Sequence, residues 1–407
     1  MNETATARPE DVGLCSRRIE RVENWMRQQV SAGRLAGIEV MINRRGHTAF
    51  HRCHGKRDVA RNTDATPETI YRIYSMTKPL TAVAIMMLYE EGQFQLDDPI
   101  TRYLPGFAGQ RVFTGGGYGA MITEPATRDI TFRDLLTHTS GLTYVFMQAT
   151  PIDAMYRAQK LDLPGSLEPL DDIIARLAKV PLIAQPGSEW HYSISSDVLG
   201  HLVAVIAAQP FDEFLRERVI RPLGMVDTEF FVASDKVNRF AANYEKGPDG
   251  RLRLLEDPET SRFLRPPRAP SGGGGLLGTA RDYMRFCQML LNRGVHGSTR
   301  LLGRKIVELM TRNHLNGDIA AMGQPRFAES NYYGIGFGLG FSVMLDPAKA
   351  QIVGSPGEYA WGGMASTAFW IDPEEDMAVV MMTQLTPSST YPIRRELRVL
   401  AYQSIID

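Results

Sequence analysis

Cysteine is scarce in this chain. Cys15, Cys53 and Cys287 are far apart and odd in number, with no C-x-x-C pair. That argues against a disulfide framework and offers no zinc-ligand spacing; three reduced thiols are expected. An excess of charge of either sign is also missing. Lys and Arg total 45, Asp and Glu 46, for a net charge of −1. Without the basic stripe that nucleic-acid binders carry, no nucleic-acid partner is expected. The longest apolar runs, near residues 82–88 and 202–208, fall well short of the ~20 residues that span a bilayer, so no membrane partner is expected either. Residues 1–18 lack the apolar stretch of a secretory signal, and a cytoplasmic location is the expectation.

What is present is an ordinary globular composition, with 43% hydrophobic and 22% charged residues over a length of 407 that can bury a large core and still frame a cleft. Apolar positions at Ile19, Val22, Trp25, Met26 and Val30 predict an amphipathic helix over residues 16–31. Short β-rich runs at 36–43 and 48–53 flank an Arg44-Arg45-Gly46 turn. A long apolar helix then runs up to Gly92. Residues 97–270 read as helices at 131–136, 171–178 and 197–207, separated by Gly- and Pro-rich loops. After the glycine run Gly272–Gly275 come a helix at 280–291, β-rich stretches at 336–344, 367–371 and 377–383, and a closing helix at 393–405. Strands at both ends can share one antiparallel sheet only if the chain returns to it. The expectation is an α/β chain of α+β type spanning 16–402, its α/β part made from 16–96 and 271–402 and a mainly helical part from 97–270. A cleft between two such parts is a common site for a ligand.

Three motifs carry chemistry. Ser75-Met76-Thr77-Lys78 is an S-x-x-K sequence. Residues three apart share a helix face, so the Lys78 amine can stand beside the Ser75 hydroxyl. A serine hydroxyl is a weak nucleophile and needs such a base. The motif arises by chance about once or twice in a chain of this size, but Lys78 opens an apolar helix (Leu80, Ala82, Val83, Ala84, Ile85, Met86), and a buried lysine without a task is costly. Tyr192 sits at a loop-to-helix junction and can relay a proton. Gly362 and Gly363, beside Trp361 and Met364, would let a substrate approach backbone N–H groups.

These elements, in this order, resemble the serine β-lactamase and penicillin-binding-protein superfamily. The likeness is strongest to the family VIII carboxylesterases and the class C β-lactamases, and it extends to fungal acyltransferases that load a side chain onto a statin precursor. Supporting stretches include Asp97-Asp98-Pro99-Ile100, Leu135-Leu136-Thr137-His138-Thr139-Ser140-Gly141-Leu142 and Gly274-Gly275-Leu276-Leu277-Gly278. The resemblance implies a β-lactamase/transpeptidase-like fold. It makes Ser75 the nucleophile, Lys78 and Tyr192 its base pair, and the backbone N–H groups of Ser75 and Met364 the oxyanion donors. Trp361-Gly362-Gly363 stands where β-lactamases have Lys-Thr-Gly, and Ile194 stands where class C enzymes have the asparagine of Tyr-x-Asn. Both departures favour neutral, apolar acyl groups over β-lactams, with Tyr144, Phe146, Ile194 and Trp361 as pocket candidates. The expected activity is hydrolysis of small or medium carboxylic esters through an acyl-Ser75 intermediate, without cofactor or metal. The rivals are acyl transfer by the same intermediate, β-lactam or D-amino-acid peptide hydrolysis, and a non-catalytic binding member of the fold.

Other signals are weaker. No serine has glycines at both −2 and +2, so an α/β-hydrolase elbow is absent. His138 reads as structural, and His191 as turned away from the site. The glycine-rich stretch Gly334–Gly340 reads as a strand rather than a dinucleotide loop, since no helix follows it closely. Asp97 and Asp98 read as turn-forming residues before Pro99, not as metal ligands.

Overall fold

A computed structural model describes residues 6–163, 166–324, 326–327 and 330–407. Its centre is an eight-stranded sheet. Three strands come from the N-terminal part of the chain: β1 (Gly37–Arg44), β2 (His47–Asp58) and β3 (Thr63–Asp64). Five come from the C-terminal part: β4 (Ile335–Phe337), β5 (Ser342–Met344), β6 (Tyr359–Gly362), β7 (Ala368–Asp372) and β8 (Met377–Thr383). The order across the sheet is β4-β5-β6-β7-β8-β1-β2-β3, and every neighbouring pair is antiparallel. The two ends of the chain meet where β1 pairs with β8, from Ile38 opposite Thr383 to Arg44 opposite Met377.

Both central strands are buried along their whole length, because helices cover both faces. Side chains alternate between faces with period two. Met377, Val379 and Met381 join a core with α1 (Ser16–Ser31) and the closing helix Ile393–Tyr402. Ala378, Val380 and Met382 face the other way, into the main core with α2 (Thr77–Glu90), α3 (Ser195–Ala207) and α4 (Ala280–Leu291). The indole N–H of Trp25 in α1 donates to Glu396 Oε2 of the closing helix at 2.8 Å, joining the two ends of the sequence.

Most expected elements form near their predicted bounds. Arg45 and Gly46, with φ of 52° and 78°, make the turn between β1 and β2, the left-handed pair that a two-residue hairpin turn requires. Two expectations are corrected, and one strand was not foreseen. The glycine-rich stretch 334–340 is not one strand but the beginning of a hairpin, β4 to β5, with Gly340 at φ 94°. Residues 114–119, one of the Gly- and Pro-rich stretches expected as loops between the helices of 97–270, belong to a hairpin of Arg111–Gly117 with Ala120–Pro125. Residues 359–362 form a strand of the main sheet, which their Gly and Trp content had hidden. Among the described residues no single helix is long and apolar enough to cross a membrane.

Candidate active site

The nucleophile candidate is presented by a strained turn. The short strand Tyr71–Arg72 leads into a single helical turn, Tyr74–Met76, which runs directly into α2. Ser75 therefore lies just before the helix rather than at its first residue. Tyr74 has φ of 41°, a left-handed conformation that is costly for an aromatic residue and persists only when its surroundings enforce it. Here the ring is buried edge-on against Phe263, with centroids 6.4 Å apart. Ser75 thus projects at the positive end of α2, where negative charge is favoured.

Lys78 follows one turn later and is only 3% exposed. Its Nζ donates to Ser75 Oγ at 3.2 Å and to the Gly273 carbonyl at 2.6 Å. The amine also sits over two rings, 4.6 Å from the centroid of Tyr192 and 5.2 Å from that of Tyr144. Tyr192 arrives from the loop before α3, and its hydroxyl lies 2.7 Å from Ser75 Oγ as donor. Its ring is wedged between His138, Tyr144 and Trp361, at centroid distances of 5.2, 5.2 and 5.5 Å. The backbone on either side is pinned, His191 N–H to the His138 carbonyl at 2.8 Å and Ile194 N–H to the Thr143 carbonyl at 3.2 Å. Three groups distant in sequence therefore converge on one hydroxyl.

The histidines stand apart from that hydroxyl. His138 Nδ1 lies 3.1 Å from Ser193 Oγ, and burial, together with the charge of Lys78, pushes its pKa well below the usual value. His191 pairs with Glu189 at 2.7 Å. Asp98 accepts from the Gln95 N–H and from Arg102 and shapes the turn before Pro99.

Sequence reasoning missed Asp197. It lies in the first turn of α3, fully buried, five residues beyond Tyr192. Its Oδ1 accepts from Ser271 Oγ at 2.5 Å and from the Gly273 N–H at 3.0 Å. The same Gly273 supplies the carbonyl that holds Lys78. A Cβ at Gly273 would come within 2.5 Å of Asp197 Oδ2 and 2.8 Å of the Tyr144 hydroxyl, so the glycine run allows this close approach. Burial pushes the Asp197 carboxyl up, while Lys78, Ser271 and Gly273 pull it down. In the sequence Asp197 is indistinguishable from an ordinary acidic residue at a helix start.

Ser75 opens into a cavity of about 650 Å³, a size suited to a small molecule. All the pocket candidates line it: Tyr144, Phe146, Ile194, Trp361, Gly362 and Gly363, together with Met364. Phe146 stacks on Tyr144 with centroids 4.7 Å apart, extending an aromatic wall toward solvent. Met364 follows β6 in a turn where the Gly363 N–H bonds to the Thr367 carbonyl at 2.9 Å, and the residue is 44% exposed. The two glycines have a reason not foreseen from sequence. The positions their side chains would take are filled by the Arg394 guanidinium at Gly362, and by the Ile73 carbonyl and Thr367 hydroxyl at Gly363. They permit strand β6 to pack against the segment that leads to Ser75. Arg394 donates to the carbonyls of Gly363 and Thr367 at 2.6 and 2.9 Å. With Arg262, Arg395, Arg398, Asp162 and Asp197 it also lines the cavity, so the lining is less uniformly apolar than the motifs imply.

The β-lactamase family profile matches residues 22–403. The chain belongs to the β-lactamase family. Within it, the chain is 31% identical over 372 residues to esterase EstB of Burkholderia gladioli, covering 88% of each sequence. The fold is similar to that of EstCE1, described as a hydrolase with promiscuous acyltransferase activity, with a TM-score of 0.80, 28% identity and coverage of 95% of this chain and 99% of that one. It is also similar to simvastatin synthase from Aspergillus terreus, with a TM-score of 0.78, 27% identity and coverage of 96% and 98%. The family assignment and the β-lactamase/transpeptidase-like fold agree with the motif resemblance, and these relatives place the chain among hydrolases and acyl-transfer enzymes of the superfamily.

Proposed function

We propose that this β-lactamase family member is a serine carboxylesterase acting on small or medium esters with apolar acyl groups. The observation that carries the reading is the convergence of the Tyr192 hydroxyl and the Lys78 amine on Ser75 Oγ, at 2.7 and 3.2 Å. In the proposed cycle Ser75 Oγ attacks the ester carbonyl and gives its proton to the Tyr192–Lys78 pair. The carbonyl oxygen, now an anion, is held by the N–H groups of Ser75 and Met364. Tyr192 returns the proton to the departing alkoxide, and water then repeats the sequence on the acyl-enzyme. A neutral amine keeps two N–H groups, so Lys78 can stay bonded to the Gly273 carbonyl throughout. The aromatic wall of Tyr144, Phe146 and Trp361 suits an apolar acyl chain. None of the three cysteines forms a disulfide, which fits the proposed cytoplasmic setting.

The test is an acyl-chain-length series of nitrophenyl esters run beside a chromogenic cephalosporin. The best ester is expected to exceed the cephalosporin in kcat/KM by at least about 100-fold, the discrimination a fitted pocket provides. Faster cephalosporin turnover would replace this reading with a β-lactamase one, and turnover of neither would favour a binding protein. Acyl transfer is kept as a second reading on the similarity to EstCE1 and simvastatin synthase. An added acceptor alcohol then diverts acyl-enzyme to a new ester in proportion to its concentration, whereas a strict hydrolase yields acid alone.

Asp197 is proposed as a positioning residue that holds the Gly273 carbonyl against Lys78 and supplies a buried counter-charge. Asp197→Asn keeps the hydrogen-bond shape and removes the charge. Its kcat is expected to fall about 10-fold, with KM within twofold, the pattern of an interaction gained in the transition state. An unchanged kcat removes Asp197 from the reaction.

A further inference from the structure

On the sheet face turned toward the main core, Glu39 of β1 stands directly opposite Cys53 of β2, and His51 lies one side-chain pair further along the same face. The period-two alternation of two antiparallel strands places all three side chains on one side. Glu39 Oε1 and His51 Nε2 are 2.7 Å apart. One ligand atom each from Glu39, His51 and Cys53 lies within 4.8 Å of the others, the one such group of three or more His, Cys, Asp or Glu side chains among the described residues.

The surroundings make this group unusual. Glu39 is 0% exposed, with Met41, Tyr71 and Met382 of the main core about it. Its second oxygen, Oε2, is buried without a hydrogen-bond partner. The hydroxyl of Tyr71, 2% exposed, also lacks a partner of good geometry. It lies beside Glu39 and Thr69, close enough to each for a weak side-chain hydrogen bond. A buried carboxylate oxygen left without a partner costs on the order of 1–3 kcal/mol or more. A buried carboxylate oxygen without a well-formed hydrogen bond, beside one imidazole and one thiol, leaves room for a missing partner.

We infer that Glu39, His51 and Cys53 form a binding site for a divalent transition metal of zinc type, with Tyr71 positioned to complete it. A carboxylate, an imidazole and a thiolate are the donor set of four-coordinate zinc, at about 2.0–2.3 Å from the ion. Binding displaces the thiol proton of Cys53, while His51 coordinates through unprotonated Nε2 and keeps its proton on Nδ1. The site is structural. It fastens β1 and β2 to the short strand Tyr71–Arg72, four residues before Ser75. It is independent of the esterase reading, and its test does not use ester turnover.

The probe is Co²⁺ added to the full chain after removal of metals with a chelator. The wild type is expected to take up one equivalent, with an intense near-ultraviolet thiolate-to-cobalt band, visible bands of a four-coordinate ion and a raised melting temperature. Cys53→Ala, at a half-buried position, should lose the ultraviolet band. It should also weaken Co²⁺ binding by at least the roughly 10- to 100-fold that loss of an outer-shell partner costs a metal site. Glu39→Gln should weaken binding while keeping the band at saturation. A wild type with no thiolate-to-cobalt band at saturating Co²⁺ overturns the inference, whatever the variants do. So does a band that persists undiminished in Cys53→Ala, because the ion then sits on another thiol.

Discussion

Ser75→Ala is expected to reduce ester turnover by at least about 10⁴-fold, the scale seen when the nucleophile of an acyl-transfer machine is removed. The fold should survive. Ser75 is half-buried, Lys78 keeps its 2.6 Å bond to the Gly273 carbonyl, and water can take the place of the missing hydroxyl. Both hydrogen bonds to Oγ are lost, but with water in its place the net cost is about 1 kcal/mol, and the melting temperature should move by less than about 3 °C. A fluorophosphonate probe should label the wild type and leave the variant unlabelled. Wild-type turnover in the variant would show that acylation occurs elsewhere, and the site as described here would lose its function.

Tyr192→Phe is the second large effect. The ring contacts with His138, Tyr144 and Trp361 remain, so the variant tests the hydroxyl alone. Loss of a positioned general acid–base group costs about 100- to 10,000-fold, and both acylation and deacylation should slow, because the same oxygen serves both. A rate within about threefold of wild type would remove Tyr192 from proton transfer and leave Lys78 as the sole base. The reciprocal variant at Lys78 is a poorer test. Removing that amine leaves the buried Gly273 carbonyl without its 2.6 Å donor, a loss that can cost about 1–3 kcal/mol of stability and would mix folding with chemistry.

How much of this was legible in the sequence follows from the range of each signal. Helices 16–31 and 280–291 were read at the bounds they adopt, because a 3.6-residue apolar period is written in neighbouring residues. Strand β6 and the 111–125 hairpin were not, because glycine-rich strands have no local preference that betrays them; their partners across the sheet make them strands. At the site, Ser75 and Lys78 share one helical turn, so their proximity is a local matter. Tyr192 was reached by resemblance, since 117 residues separate it from Ser75. The glycines at 362 and 363 were recognised, but for a different reason than the one the structure provides.

Chain-local physics therefore determined the helices, the hairpin turn at Arg45-Gly46 and the pairing of a serine with a lysine one turn later. These depend on residue type and on spacing of a few positions. Only the tertiary structure decided that Asp197 stands behind Lys78 through Gly273, that Arg394 backs the Trp361-Gly362-Gly363 strand, and that Glu39, His51 and Cys53 share one buried face. Each of those depends on register and close packing between segments distant in the chain, and the energy of a buried charge is set by the neighbours that packing brings to it.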